Sequence, residues 1–365
     1  MKIVLLGTYN PSEILTGPEK FAKRLFHELI DKNIEITFIT YYQDGKIYSI
    51  NRKLFGKEII SNHGSRKVYR MGIFPLLYFF LFTTYDLIHL VTFERFSIIA
   101  LFCAKIRKLK TVYTVHSILK MEYNKFAIPY SLKTKLLDLF CEKMYFRYVN
   151  KLLFVSELVH QWGKDYNFVV KEGNVIHNGA DKVFFATKRS SDNNNISIVF
   201  SGNIQREEKG FSYFKECIAT LNLPTDIFII SSTSTPLNLP KHLRSFFVEP
   251  MSSDVLAEFL SNKDIFFSAS EYDTFSIATL EAMAAGCIPI VTSSTGIASL
   301  IRNGINGFVV EYGDITSAAD NIVRVAEDSK LWDTLSHEAR TTVQDMKWHN
   351  TAANYSVMYD RKNDD

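Results

Sequence analysis

Two carboxylates set the chemical question in this chain. Asp273 and Glu281 stand eight residues apart, and a carboxylate can accept hydrogen bonds from two adjacent hydroxyl groups at once. Lys209 lies immediately before Gly210, in a loop that follows the apolar run Ile196–Phe200. A cation beside backbone N–H groups is what a phosphate needs. His116 directly follows the run Thr111–Val115, which puts it at the edge of a strand. Each of these residues also has an ordinary structural role open to it. Asp273 could cap a helix, Glu281 could be a solvated helix residue, Lys209 a surface lysine and His116 a packed histidine.

The elements around the acids decide how they are presented. Ile265-Phe266-Phe267 reads as a buried parallel strand. A polar loop, Ser268 to Thr274, follows it. Ile277, Leu280, Glu281, Ala284 and Ala285 then recur at helical spacing until Gly286 ends the helix. Ile288 to Thr292 is a second strand, and Thr295-Gly296 turns toward another helix start near Ala298. Strand, loop, helix, strand is one βαβ unit. Its loop and helix N-terminus lie at the carboxyl end of the first strand, where open α/β sheets bind ligands and N–H groups attract anions.

The run DTFSIATLEAMAAGCIPIV, beginning at Asp273, resembles the signature of glycosyltransferase family 4, a retaining family with the GT-B fold. The family pattern is Glu-Gly-Phe-Gly, with Glu-Ala-Met-Ala beginning at the eighth residue after the first Glu. Asp273 takes the first acid's place, one methylene shorter, and Glu281 the second's. Asn303 to Val310 with Gly313-Asp314 resembles the family's next block. Thr16-Gly17-Pro18-Glu19 resembles its Gly-Gly-x-Glu helix start, with Thr16 for the first Gly. Lys151 to Glu157 resembles the strand ending in Val-Ser. Val175 to Asp181 resembles the Pro-Asn-Gly-Val-Asp turn, with His177 for Pro. In the loop Ser201 to Gly210, Lys209-Gly210 matches, whereas Asn203 stands where an Arg is expected and Arg206 is a candidate for the missing charge.

The resemblance implies roles residue by residue. Glu281 would hold the ribose hydroxyls of a nucleotide-sugar, and Asp273 would contact hydroxyls of the transferred sugar. His116 would lie against the donor sugar and β-phosphate. Lys209, with Arg206, the Gly17 loop, the Asn203 loop and the amides of Phe275, Ser276 and Ile277, would neutralise the diphosphate. Glu271, two residues upstream of Asp273, could stand in for the longer acid. The nucleotide-sugar, expected to be a UDP-sugar, is a substrate, so no cofactor is implied. No DxD motif offers a metal site.

Composition narrows the alternatives. A chain of 365 residues with 47% hydrophobic and 22% charged residues is an ordinary globular protein of two domains. Four cysteines without CxxC or His-paired spacing argue against zinc or a disulfide framework and suit a reducing cytoplasm. Met1-Lys2 leads straight into the strand Ile3–Leu6, which reads as a chain without a signal peptide. Gly7 and Gly17 are too far apart for GxGxxG, so a nicotinamide enzyme is a poor reading. The net charge of +3 conceals an asymmetry: residues 1–190 carry +13 and the remainder −10. No helix-turn-helix, RNP or zinc-finger pattern directs that basic half to nucleic acid. Its clusters are Arg66, Lys67 and Arg70, then Lys105 to Lys110, then Lys120 to Lys135 interleaved with tyrosines. Together they suit an anionic membrane surface. Met71 to Leu81 is too short to span a bilayer and reads as a core helix, with an interfacial anchor as the alternative.

The expected architecture is therefore α/β: two Rossmann-like doubly wound domains, residues 1–190 for the acceptor and 191–345 for the nucleotide-sugar. Ser190 to Asn195 would be the linker, and the helix in 346–365 would pack back on the first domain. The expected function is transfer of a hexose, with retention, to a saccharide or lipid-linked saccharide in polysaccharide, capsule or lipopolysaccharide assembly, peripherally on the cell membrane's inner face. Two other classes stay open: a catalytically weak homologue serving as a binding partner, and a nucleotide-sugar epimerase or hydrolase on the same fold.

Overall fold

The computed structural model describes residues 1–29, 34–42, 50–63, 66–125, 131–166, 174–189 and 195–360. The expected linker lies almost entirely outside the described residues. The chain divides into two compact units, Met1–His177 with His349–Asp365, and Asn178–Trp348.

The first unit begins β1 (Lys2–Leu6), α1 (Gly17–Glu28), β2 (Glu35–Tyr41), α2 (Ile50–Phe55), β3 (Lys57–His63) and β4 (Arg66–Met71). It continues α3 (Ile73–Phe82), β5 (Leu87–Leu90), α4 (Ser97–Arg107), β6 (Lys110–Val115) and α5 (Leu119–Lys125). It closes with α6 (Leu132–Tyr148), β7 (Lys151–Phe154), α7 (Glu157–Asp165) and β8 (Asn174–Val175). The strand order is β3-β4-β2-β1-β5-β6-β7-β8, parallel except for β3. Leu5, Leu6, Ile88, Leu90, Leu153 and Phe154 are fully buried, as strands covered on both faces must be.

The second unit runs α8 (Lys182–Ala186), β9 (Ile196–Ser201), α9 (Phe211–Ala219), β10 (Thr225–Ile230), β11 (Leu243–Val248) and α10 (Ser253–Ser261). Then come β12 (Ile265–Ser268), α11 (Ile277–Ala285), β13 (Ile288–Thr292), β14 (Phe308–Val310), α12 (Ile315–Glu327) and α13 (Ser329–Val343). Its strands follow the order β11-β10-β9-β12-β13-β14, all parallel. Phe200, Phe211, Phe214 and Phe267 pack in its core. The doubly wound α/β reading of both halves holds.

The last helix, α14 (Trp348–Asp360), packs in the first unit. Tyr355 and Tyr359 are buried there against His89 of β5. The imidazole Nδ1 meets Tyr359 Oη at 2.7 Å, its Nε2 meets Thr114 Oγ1 at 2.7 Å, and Tyr355 stacks on the ring. A buried polar group that finds both partners costs little and fixes orientation.

Three expectations need correction. The division falls at 178 and not at 190, because Phe184 of α8 is fully buried and Asp181 accepts a hydrogen bond from Ser253 at 2.7 Å. Residues 57–63 and 66–71 form the β3–β4 ladder, so Arg66, Lys67 and Arg70 stand on a strand. Arg66 there donates to the His27 and Leu29 carbonyls, and Arg70 pairs with Glu58 at 2.6 Å. Finally, α3 is only half core: Leu76 and Phe80 are buried, while Phe74, Tyr78 and Phe82 are at least half exposed.

Candidate functional site

The second unit gathers its chemistry at the carboxyl ends of β9, β12 and β13. After β9, residues Gly202 to Arg206 turn into a short 3-10 helix, Glu207–Lys209, that ends on Gly210. Gly210 is required twice over. Its φ of +68° lies in the left-handed region, and a Cβ there would sit 1.8 Å from the Ala269 carbonyl oxygen. This close approach seats Lys209 beside the loop that leaves β12.

Lys209 Nζ lies 2.9 Å from Asp273 Oδ2. The other carboxylate oxygen, Oδ1, accepts from Phe275 N at 3.2 Å and Ser276 N at 3.0 Å. Asp273 thus closes its own turn and meets the lysine together. Burial pushes its carboxyl up, but the Lys209 ammonium and the two N–H donors outweigh this and hold it below the ordinary carboxylate range. The loop is clamped from both sides. Glu271 N donates to Glu208 O at 2.9 Å, and Gly296 N donates to Asp273 O at 2.9 Å. Ser276, at the N-cap of α11, has a φ of +75°, a left-handed conformation that non-glycine residues adopt only when their surroundings enforce it.

Glu281 is 4% exposed. The cause is α11 itself, a helix of small and apolar residues buried among β12, β13, α8, α10 and α13. Arg340 of α13 donates to Ala284 O at 3.2 Å, complementing the negative end of that helix. The solvated-helix reading of Glu281 and the surface reading of Lys209 are both excluded.

The remaining loop residues are placed differently from expectation. Arg206 pairs with Glu208, two residues on, and its side chain is 58% exposed. Asn203 Oδ1 accepts from Gln205 N at 2.9 Å and closes its own turn. The amides of Phe275 and Ser276 are turned to Asp273, so a phosphate would have to take them from that carboxylate.

In the first unit, His116 stands at the carboxyl end of β6. Its Nε2–H donates to the Val91 carbonyl at 3.0 Å, and its ring packs edge-on against Phe21. Burial lowers its pKa to about 4, only partly offset by that hydrogen bond, so the ring is neutral near pH 7 and Nδ1 is an acceptor. Gly17 is the first residue of α1. The loop before it is tied to that helix from below: Glu19 accepts from Thr16 N and Oγ1 at 2.9 and 2.7 Å and from Asn10 Nδ2 at 3.1 Å. Lys23 Nζ donates to the Pro11 and Ser12 carbonyls.

Sequence reasoning missed two features here. A cavity of about 200 Å³ opens at the ends of β1, β2 and β4, lined by Thr8, Asn10, Glu19, Thr40, Tyr41 and Arg70. Glu94, just after β5, accepts from Thr8 Oγ1 at 2.5 Å, and burial raises its pKa. The signal that flagged His116, a polar residue just past an apolar strand, applies equally to Thr8 and Glu94.

Residues 15–183 match the family described as Glycosyltransferase Family 4, and residues 195–328 match Glycosyl transferases group 1. The chain is 32% identical over 107 residues to the N-acetyl-alpha-D-glucosaminyl L-malate synthase of Bacillus anthracis, covering 29% of this chain and 28% of that protein. It is 31% identical over 86 residues to the capsular polysaccharide biosynthesis glycosyltransferase CapM of Staphylococcus aureus, covering 24% of this chain and 23% of that one. The matches thus span about a quarter of these curated relatives. Among solved structures, Anabaena Alr3699/HepE in complex with UDP and glucose superposes with a TM-score of 0.74 over 98% of this chain and 99% of that one, at 18% identity.

Proposed function

The chain belongs to the family 4, group 1 glycosyltransferases with the GT-B fold, and from that premise we propose that it moves a hexose from a UDP-sugar, with retention and without a metal, to a saccharide or lipid-linked saccharide. The observation that carries the reading is the Lys209–Asp273 pair, clamped at the carboxyl ends of β9 and β12, with the buried Glu281 in the helix that follows β12. UDP in the Anabaena structure and the capsular role of the Staphylococcus relative support the choice of donor and acceptor class.

In this mechanism Lys209 leaves Asp273 for the diphosphate, and Asp273 is released to accept from hydroxyls of the transferred sugar. Glu281 accepts from the ribose hydroxyls. His116, neutral and protonated on Nε2 toward Val91, offers Nδ1 to a sugar hydroxyl. The bond between the sugar's anomeric carbon and the phosphate oxygen breaks. The acceptor oxygen bonds to that carbon from the same face, and its proton passes to the departing phosphate. No side chain then has to serve as the base.

Nucleotide release from a panel of UDP- and GDP-sugars, with and without a membrane lipid extract, tests this. Release from one donor that rises with the extract is expected, and Glu281→Ala should abolish it. Wild-type rates in that variant would sink the assignment. One observation favours a second reading, a weakly active homologue that binds partners. With Arg206 held by Glu208 and Asn203 in place of arginine, Lys209 carries the loop's charge toward Asp273. Silence across the panel while UDP still binds would select it.

A further inference from the structure

The outer surface of the first unit inverts the usual distribution of side chains. Helices α3, α4 and α6 cross between strands that advance in one direction through the sheet, so right-handed connections place all three on one face. Neighbours in that layer touch, α3 against α4 and α4 against α6. Arg107 of α4 donates to the Phe80 and Thr83 carbonyls at the end of α3, and Lys105 of α4 lies over the Tyr148 ring of α6.

Large apolar side chains point outward from this layer. Tyr78 and Phe82 are 67% and 70% exposed, Phe102 and Ile106 63% and 58%, Leu136 and Phe140 59% and 57%. Exposed hydrophobic residues scattered singly are normal, but a contiguous set on three packed helices marks an interaction surface. The charges make it more specific. The three helices contain only two acids, Asp138 and Glu142, and both point inward. Asp138 pairs with Arg95 and accepts from Tyr123, and Glu142 caps α5 by accepting from Leu119 N and Lys120 N. What α4 and α6 leave exposed among the apolar residues is basic: Lys105, Lys133, Lys143 and Arg147, with Lys108 just beyond α4.

The geometry points to an anionic bilayer surface as the occupant of this face, with the aromatic and aliphatic side chains at the headgroup boundary and the lysines on lipid phosphates. A second copy of the chain would bring like charges together and fits poorly. No helix among the described residues is long and apolar enough to cross a membrane, so the contact is peripheral. The inference does not rest on the donor reading, because none of these residues belongs to the loops described above.

Flotation of the full chain with phosphatidylcholine vesicles, with and without phosphatidylglycerol, tests it. Binding should require the anionic lipid and weaken as salt rises. Replacing Lys108, Lys133 and Lys143 by serine should lower partitioning roughly a hundredfold, at roughly fivefold per cation. Phe102→Ser with Phe140→Ser should also release the protein, and both variants should keep the wild-type melting temperature and UDP affinity. Equal binding to neutral vesicles, no binding, or wild-type flotation of both variants would overturn the proposal. So would a concentration-dependent molecular size that the variants abolish, since that would make the face a self-association interface.

Discussion

Two loops in this protein do the same geometric job by opposite means. Each leaves the carboxyl end of a strand and delivers the chain to a helix N-terminus. In the second unit, residues 269–276 are shaped by Asp273, which binds its own following amides and Lys209. In the first unit, residues 7–16 are shaped by α1, whose Glu19 and Lys23 reach back onto the loop. In one loop the group that would do chemistry is also the group that holds the shape. In the other, Glu19 and Lys23 of the helix hold the loop from outside it, together with local turns at Asn10 and Ser12, and Thr8, Asn10 and Glu19 line a cavity. The first arrangement makes function and folding inseparable, whereas the second separates them.

Substitutions can break that contrast. Among the loop variants Lys209→Ala should have the largest effect, lowering kcat by about 10²–10³-fold, as for the loss of one preorganised group that stabilises charge. It also leaves the Asp273 carboxylate without its cation, so the melting temperature should fall with kcat. A variant that lost activity at unchanged stability would show that the second-unit loop is shaped by something else. Gly210→Ala comes next. Left-handed strain and the clash with the Ala269 carbonyl should cost about 3 kcal/mol in chemical denaturation, and UDP affinity should fall in parallel.

Glu19→Ala should cost only about 1 kcal/mol, the usual worth of a cap. It should raise the KM for the acceptor and change UDP affinity far less than Lys209→Ala does. A change in UDP affinity of the Lys209→Ala kind would erase the distinction between the loops.

The pH dependence of stability sharpens the comparison from another side. Asp273 in the second unit has a depressed pKa, so its contribution is kept above the ordinary carboxylate range and lost only in stronger acid. The first unit carries groups whose contribution to stability changes closer to neutrality. Burial lowers the His89 pKa to about 3, so its contribution is full above about 6.5 and lost as pH falls below it. Burial raises Glu142 to about 7, so its contribution is full below about 4.5 and lost as pH rises toward 7. Between those limits the two oppose each other, each with a slope of up to about 1.4 kcal/mol per pH unit. Melting temperatures across pH 4.5–6.5 should therefore fall more steeply toward acid in Glu142→Gln than in wild type. His89→Gln should flatten or reverse the slope, and identical profiles in all three proteins would refute the assignment.

Much of the second unit was legible in the sequence because its strands are short apolar runs and its loops are polar. Each boundary is therefore a change of residue type. Lys209, Asp273 and Glu281 were singled out by their resemblance to the family's motifs, since each alone also fits an ordinary structural role. Other features had no local signal. The left-handed φ of Ser276 is enforced by the clamps on either side of its loop, and Arg206 is diverted to a glutamate two residues away. In the first unit, β4 was hidden by its basic composition: Arg66 and Arg70 are only partly exposed because they turn to the His27 and Leu29 carbonyls and to Glu58, while Lys67 stays in solvent. The helix α6 was ambiguous for a related reason: its acids point inward and several of its leucines outward, so periodicity alone could not say which face was which.

The sequence by itself determined the doubly wound class, the strand ends that present chemistry and the residue types available there, because burial on both faces of a parallel sheet leaves an apolar signature in the chain. Only the tertiary structure decided which charges meet. Lys209 and Asp273 are 64 residues apart in the chain and 2.9 Å apart in space. His89 meets a tyrosine 270 residues away. Ion pairing and hydrogen bonding depend on distance and direction in space, and neither is written in the spacing of residues along the chain.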